Sequence, residues 1–311
     1  MRISMVNDCA YVGETILKYL PQDLETVHVR RGRNLLDKTF GLAYRILRAR
    51  GDIYHVHYLL QDCYLTLKLG KKPVIGHAHG SDLRRSLNHP VWGRVVRHNL
   101  RECDKVLVST PDILSVATAF SDDAEYFPNP VDTERFHPEP FRARDDKLRV
   151  FLACDSNWEV KGVDKAIRAL GKLKNDVEAS IIGYGKDFSR SLRLARSLSL
   201  EMSVLPVTSH RNMREYYWNA DLVIGSIGVG GLGMVVLEAI ACGRPTITYV
   251  SSNYREYADF PLKDIKTADG IASTAAMNLH NLWKAEYEYF CKHHEPRQTL
   301  KRLCEIYASL Y

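Results

Sequence analysis

Gly230-Gly231-Leu232-Gly233-Met234-Val235-Val236-Leu237-Glu238-Ala239-Ile240-Ala241-Cys242-Gly243-Arg244-Pro245 decides how this 311-residue chain is read. A β-like run, Leu222–Ser226, feeds into it, and another, Thr246–Val250, leaves it. A glycine loop therefore sits at the carboxyl end of one strand and opens a helix. Backbone N–H groups at such a terminus, with the positive end of the helix dipole, favour a phosphate. Gly230, Gly231, Leu232, Gly233, Met234 and Val235 form that candidate cradle. Glu238, one turn into the helix, supplies a carboxylate able to accept from sugar hydroxyls. Diphosphate and sugar recognition in one element points to a nucleotide-sugar site. Taken singly, the glycines also suit tight helix–strand packing and Glu238 suits a helix N-terminus.

The same strand–loop–helix alternation extends in both directions. The first half offers strand-like runs at Ile3–Val6, Thr26–Val29, Ile53–His57, Pro73–His77, Lys105–Ser109 and Glu125–Phe127, with helical stretches such as Leu35–Arg50, Pro90–Arg101 and Asp112–Ala119 between them. Residues 128–147 break the pattern with Pro128, Pro130, Pro138 and Pro140 and a polar run, as a linker does. Alternation restarts at Arg149–Ala153. This predicts α/β architecture: two doubly wound, Rossmann-like domains facing across a cleft, residues 1–145 and 146–295. A terminal helix over about 296–311 carries Leu300, Leu303, Tyr307 and Leu310 on one stripe, suited to packing back on the first domain or to lying on a membrane. Ligands of such sheets bind beyond the carboxyl ends of the strands.

Composition bounds the function. Hydrophobic residues at 45% and charged residues at 26% are globular values, which excludes a disordered or collagen-like chain. Residues 30–105 hold 16 Lys/Arg against 6 Asp/Glu, a local excess of +10 that fits a solvated basic face, an anionic membrane surface or an acidic substrate better than nucleic acid. Seven cysteines stand singly with no C-x-x-C pair, reading as reduced cytosolic thiols. The N-terminus has no signal-peptide layout, and no window reaches the roughly 18 apolar residues a membrane-spanning helix needs. A cytoplasmic protein is expected, with a peripheral position at the inner membrane face left open.

Further loops could carry chemistry. Asp155–Gly162 follows the first strand of the second domain and places Lys161 at a turn, where a cation can meet a phosphate. Gly183 and Gly185 end the next strand and allow close backbone approach. Ser156 lies in the Lys161 loop. In the first half, His77-Ala78-His79-Gly80-Ser81-Asp82 follows an apolar strand, with two histidines pointing the same way. No third metal ligand is evident, so no metal site is assigned. His55 and His57 alternate in the preceding strand and read as lying at its wet end. Gly13 follows the first strand, where its backbone could reach a diphosphate.

In this order the pieces resemble the retaining GT-B glycosyltransferases of glycosyltransferase family 4, over about residues 1–290. The resemblance rests on His77–Asp82, Asn129–Phe136, Lys161–Asp164, Ile182–Gly185, Tyr217–Asp221 and Gly233–Pro245. It implies a metal-independent hexosyltransferase that takes a UDP- or GDP-sugar as co-substrate, needs no cofactor, and builds surface glycans on a glycan or lipid-linked acceptor. It implies that Glu238 holds the ribose, Gly233, Met234 and Val235 lie against diphosphate and sugar, and Lys161 neutralises the β-phosphate. His79 would contact the transferred sugar and Gly13 the diphosphate. Two positions depart from the family pattern. Gly230 stands where a first glutamate is usual, and Ser156 stands where an arginine is usual; Arg84, Arg85 and Arg211 are candidate replacements. Losing one charge-assisted phosphate contact weakens binding by about 1.5–3 kcal/mol. Those departures keep open a non-catalytic relative that regulates a partner transferase, beside a nucleotide-sugar epimerase.

Overall fold

Parallel strands form two sheets, as the alternation predicts. The computed structural model describes residues 1–32, 34–140 and 147–311. Contacts divide them into one unit of Met1–Pro130 with His294–Tyr311 and a second of Val131–His293.

In the first unit the strands are β1 (Arg2–Val6), β2 (Glu25–Val29), β3 (Ile53–His57), β4 (Val74–Ala78), β5 (Lys105–Val108) and β6 (Ala124–Tyr126). Their order is β2-β1-β3-β4-β5-β6. Every residue of β3 and β4 is buried, as expected of parallel strands covered on both faces. The order reverses between β1 and β3, and a ligand site is expected at the carboxyl ends there. Gly13, His57 and His79 follow or end these strands.

The second unit contains β7 (Leu148–Leu152), β8 (Val177–Ile182), β9 (Met202–Leu205), β10 (Leu222–Ile224) and β11 (Thr246–Ile247), in the order β11-β10-β7-β8-β9. Its reversal lies between β7 and β10, whose carboxyl ends lead into the Lys161 loop and the glycine loop. β11 is shorter than the five-residue run expected. Beyond Ile247 the Thr248 hydroxyl and the Tyr249 N–H both donate to Ser226 O, at 2.8 and 2.9 Å, which draws the chain over the β10 loop.

The expected boundary near residue 145 falls outside the described residues. Val131–Pro140 groups with the second unit for clear reasons. Phe136 is buried against Tyr217 and His210, Trp218 Nε1–H donates to His137 O at 2.9 Å, and buried Arg244 donates to Glu139 O at 2.9 Å.

The terminal helix, Pro296–Leu310, belongs to the first unit. Leu300, Leu303 and Tyr307 are buried. Its apolar stripe is therefore covered by protein, and the membrane-lying alternative for this helix falls. All seven cysteines are free thiols.

Candidate functional site

In the second unit, the helix Met234–Ala241 begins with Gly233 as N-cap and no side-chain cap. The amides of Gly233, Met234 and Val235 donate to nothing among the described residues. They are the orphan donors of a helix start, on a solvent-accessible stretch. The rest of the loop differs from the expectation of free amides. Gly231 N–H donates to Val229 O at 2.9 Å, and buried Leu232 donates to the Tyr257 hydroxyl at 3.1 Å.

Lys161 ends the short helix Trp158–Lys161, which Asn157 caps by accepting from Val160 N–H. Its carbonyl accepts from Ile227 N–H at 2.8 Å, so the lysine turn and the glycine loop are joined through the backbone. A Cβ on Gly228 would lie 2.2 Å from Val160 O, which explains glycine there. The Lys161 ammonium makes no hydrogen bond or salt bridge among the described residues. It is available to an anion.

Glu238 is nearly fully buried. His210 Nε2 lies 2.7 Å from its Oε1, and the Tyr217 hydroxyl donates to Oε2 at 2.9 Å. Arg135 Nη1 donates to His210 Nδ1 at 3.0 Å. A guanidinium only donates, so Nδ1 accepts and Nε2 carries the hydrogen, donating it in a hydrogen bond that Glu238 Oε1 accepts. Arg135, His210 and Tyr217 were not singled out from the sequence. The signal was present: Arg135 and Tyr217 lie in stretches that carry the resemblance, and His210 adjoins Arg211.

Ser156 is fully buried, and its hydroxyl has no hydrogen-bond partner among the described residues. Its backbone brackets Gly185: Ser156 N–H donates to Tyr184 O, and Ser156 O accepts from Asp187 N–H at 2.7 Å. Gly185 has φ +117°, and a Cβ there would lie 2.4 Å from Ser156 N. Gly183 is sheet-paired to Leu205 O at 2.9 Å. These three residues shape the turn rather than offer side chains to it. Gly230 is walled in: its Cβ would stand 3.0 Å from the Tyr249 ring and 3.1 Å from Ser251 Cβ. The Tyr249 ring and Ser251 crowd the position any Cβ here would take, and the Lys266 ammonium lies 4.3 Å over that ring. Of the candidate arginines, Arg84 is held by Asp112 at 2.6 and 2.8 Å, whereas Arg211 is exposed and makes no hydrogen bond or ion pair among the described residues.

In the first unit, four histidines form a connected cluster. His57 pairs with His77 in the β3–β4 register. His79 Nε2 lies 2.8 Å from His57 Nδ1, and His55 Nε2 lies 3.1 Å from His77 Nδ1. His55 Nδ1 meets the Tyr307 hydroxyl at 2.8 Å. The expectation that His55 and His57 stand at a wet strand end is overturned. Both are fully buried, because helices cover this face of the sheet. Burial pushes His55 and His79 down to about 3, and lowers His57 and His77, with neighbouring histidines adding to the effect. All four are neutral near pH 7.

A third histidine is also close enough to share an ion, contrary to the sequence expectation. His55, His57 and His77 each offer a nitrogen within 4.8 Å of the others, and neutral imidazole is the ligating form. Most of these nitrogens are already hydrogen-bonded to one another or to Tyr307. Of the nitrogens of these three histidines, His77 Nε2 alone is buried without a hydrogen-bond partner among the described residues.

Asp82 organises the His79 turn by accepting from Gly80 N–H at 2.9 Å and from Leu59 and Leu83 at 3.2 Å. Gly13 does not present a free amide. Its N–H donates to Asp8 Oδ1 at 2.8 Å, and Glu14 N–H donates to Oδ2 at 3.2 Å. A Cβ on Gly13 would lie 3.0 Å from His57 Nε2, so glycine here makes room for the histidine cluster.

Comparison with known proteins agrees with this architecture. Residues 19–135 match Glycosyltransferase Family 4, and residues 134–259 match Glycosyl transferases group 1. The chain is 26% identical over 217 residues to N-acetyl-alpha-D-glucosaminyl L-malate synthase of Bacillus anthracis, covering 63% of this chain and 56% of that protein. It is 30% identical over 205 residues to a GDP-mannose-dependent alpha-(1-6)-phosphatidylinositol monomannoside mannosyltransferase of Mycolicibacterium smegmatis, covering 59% and 53%. The chain thus spans about half the length of these relatives. The structure of Anabaena HepE in complex with UDP and glucose superposes with a TM-score of 0.75 at 12% identity, over 100% of both chains, a likeness of fold. Each half thus matches a different glycosyltransferase family model, and the two parallel α/β sheets share the two-Rossmann-domain fold of that solved structure.

Proposed function

We propose that the protein is a retaining, metal-independent glycosyltransferase that moves a sugar from a UDP- or GDP-sugar to a glycan or lipid-linked acceptor. One observation carries the reading: three unpartnered amides at Gly233–Val235 and the unpartnered Lys161 ammonium lie on loops bonded to each other at one sheet's switch point. Amides and ammonium supply positive potential for a diphosphate without a divalent ion. Glu238 is the carboxylate for the ribose, held in place by His210 and Tyr217. Arg211, exposed beside His210, is the replacement for the arginine that Ser156 lacks.

In the reaction, the acceptor oxygen bonds to the anomeric carbon on the face the nucleotide leaves. The bond from that carbon to the phosphate oxygen breaks, and the acceptor's proton passes to the departing phosphate. Lys161 stabilises the charge on that phosphate. His79 contacts the sugar near its reacting centre. The names of the relatives support this range of chemistry: one is GDP-mannose-dependent and has a phosphatidylinositol mannoside in its name, and HepE is bound to UDP and glucose. The basic excess of residues 30–105 supports an anionic membrane surface as a partner.

The test is nucleoside diphosphate release from UDP-, GDP- and ADP-sugars, with and without acceptor and with chelator present. Release that needs acceptor and survives chelation is expected; none across the three bases would sink the proposal. A second reading, a non-catalytic relative that regulates a transferase, is favoured by buried Ser156 and by Tyr249 at Gly230. It predicts nucleotide-induced thermal stabilisation without turnover. Conversion of the donor alone would instead indicate an epimerase.

A further inference from the structure

Residues 35–48 are helical throughout, with a π-turn at Asp37–Gly41 continuing into Leu42–Arg48. This helix has two apolar faces. Leu42, Ile46 and Ala49, spaced i, i+4, i+7, are buried in the first unit's core. Phe40, Tyr44 and Leu47 have the same spacing two residues earlier, which places them on the opposite side. They are 76%, 62% and 57% exposed, and Leu36 beside them is 70% exposed. Isolated exposed apolar residues need no explanation, but a continuous row on one helix does.

We propose that this outer face docks on an anionic lipid bilayer, lying in the interface with Leu36, Phe40, Tyr44 and Leu47 among the acyl chains. Charge selects lipid over a second copy of the chain. Residues 35–50 contain Lys38, Arg45, Arg48 and Arg50 against Asp37 alone. Arg48 and Arg50 are exposed next to Leu47. The Lys71 ammonium donates to Leu47 O and Ala49 O at 3.0 and 3.1 Å, adding a cation at the helix's carboxyl end. Two such faces brought together would oppose cation to cation. An apolar row flanked by Lys and Arg matches an interfacial helix, whose binding combines apolar insertion with attraction to acidic headgroups. No helix among the described residues is long and apolar enough to cross a membrane, so contact through this face would be peripheral. The inference deepens the membrane part of the proposed function and does not depend on turnover.

Flotation of the full chain with vesicles tests it directly, using phosphatidylcholine alone and phosphatidylcholine mixed with phosphatidylglycerol. The chain is expected to float with the anionic vesicles, to remain behind with neutral ones, and to bind less as salt rises. Leu36→Gln, Phe40→Gln and Leu47→Gln keep helix-forming residues on an exposed face, and together should lower vesicle affinity at least about tenfold. Val207→Gln, at an exposed apolar position of the second unit, should leave it unchanged. Absence of flotation overturns the inference, as does an equal loss from the Val207 change. A dimer seen by light scattering and dissolved by the triple change would also overturn it, in favour of self-association. If vesicles bind while no nucleotide sugar turns over, the docking stands and the transferase reading fails.

Discussion

Arg135 donates to His210 Nδ1, and His210 Nε2 in turn donates to Glu238. The guanidinium therefore fixes which imidazole nitrogen carries the proton, and so orients the carboxylate proposed to hold the donor ribose. His210→Ala leaves Glu238 buried with one partner fewer, at about 1.5–3 kcal/mol of stability. His210→Gln can return an N–H near the Nε2 position and should recover part of that loss. Denaturant unfolding of the two variants checks the ranking, and nucleoside diphosphate affinity should fall in the same order. Equal behaviour of Ala and Gln would show that the donor is unimportant.

Gly230 and Tyr249 form a second coupled pair. Glu at 230 must displace the Tyr249 ring, which its Cβ would approach to 3.0 Å. Gly230→Glu alone should destabilise by about 1–3 kcal/mol through overpacking. Adding Tyr249→Ala opens the space, so the double variant should be more stable than the sum of the single changes predicts. A melting series on the four proteins reads this coupling. Additive changes would mean that Tyr249 does not replace the usual glutamate.

Much of this was legible in the residues. Alternating β-branched and helical runs predicted two doubly wound sheets, and the Gly233–Glu238 spacing located a helix start with bare amides. What was not legible depended on contacts far apart in sequence. His55 looked like a wet strand end because periodicity cannot show what covers a sheet face; Tyr307, in the terminal helix, lies over it. Gly13 read as a phosphate turn, but Asp8 takes its amide and His57 takes its space. Gly230 read as a missing carboxylate, and only the fold reveals the Tyr249 ring there.

Lys161 is the clearest target for separating chemistry from folding. Its ammonium makes no hydrogen bond among the described residues, so Lys161→Ala should leave the melting temperature nearly unchanged. If it stabilises the leaving phosphate, turnover should fall by about a hundredfold to a thousandfold. Lys161→Arg keeps the charge and should retain more activity. Single-turnover rates with saturating donor check this, and an unaffected rate would remove Lys161 from the chemistry.

His57 Nε2 faces the Met5 sulfur at 3.1 Å, and a thioether can only accept. The proton therefore sits on Nε2, leaving Nδ1 to accept from His79 Nε2–H. His79 then presents a bare Nδ1, suited to accept from a sugar hydroxyl. Imidazole nitrogen chemical shifts of the unliganded protein should report His79 as the Nε2–H tautomer. The opposite tautomer would end this assignment without touching the transferase proposal.

The buried titratable groups give the two flanks of the pH–stability curve opposite signs. His55 and His79 titrate at about 3 in the fold and near 6.5 when unfolded. Above about pH 6.5 neither state binds their protons and their contribution is complete. Between about 6.5 and 3 the unfolded chain binds protons that the folded chain refuses, so each costs about 1.4 kcal/mol per pH unit of acidification. His57 and His77 add in the same direction. Glu286 runs the other way. Burial lifts it to about 8, against the two hydrogen bonds it accepts from Thr246. Below about pH 4.5 both states hold its proton; from there up to about 8 the folded state alone keeps it, so stability declines as pH rises. Unfolding measured across pH 4–9 should fall off on both sides. Glu286→Gln should flatten the alkaline limb above about pH 6.5 and steepen the acid limb between about 4.5 and 6.5, because the amide still accepts from Thr246 but cannot ionise. A flat acid limb would contradict the buried, neutral histidine cluster.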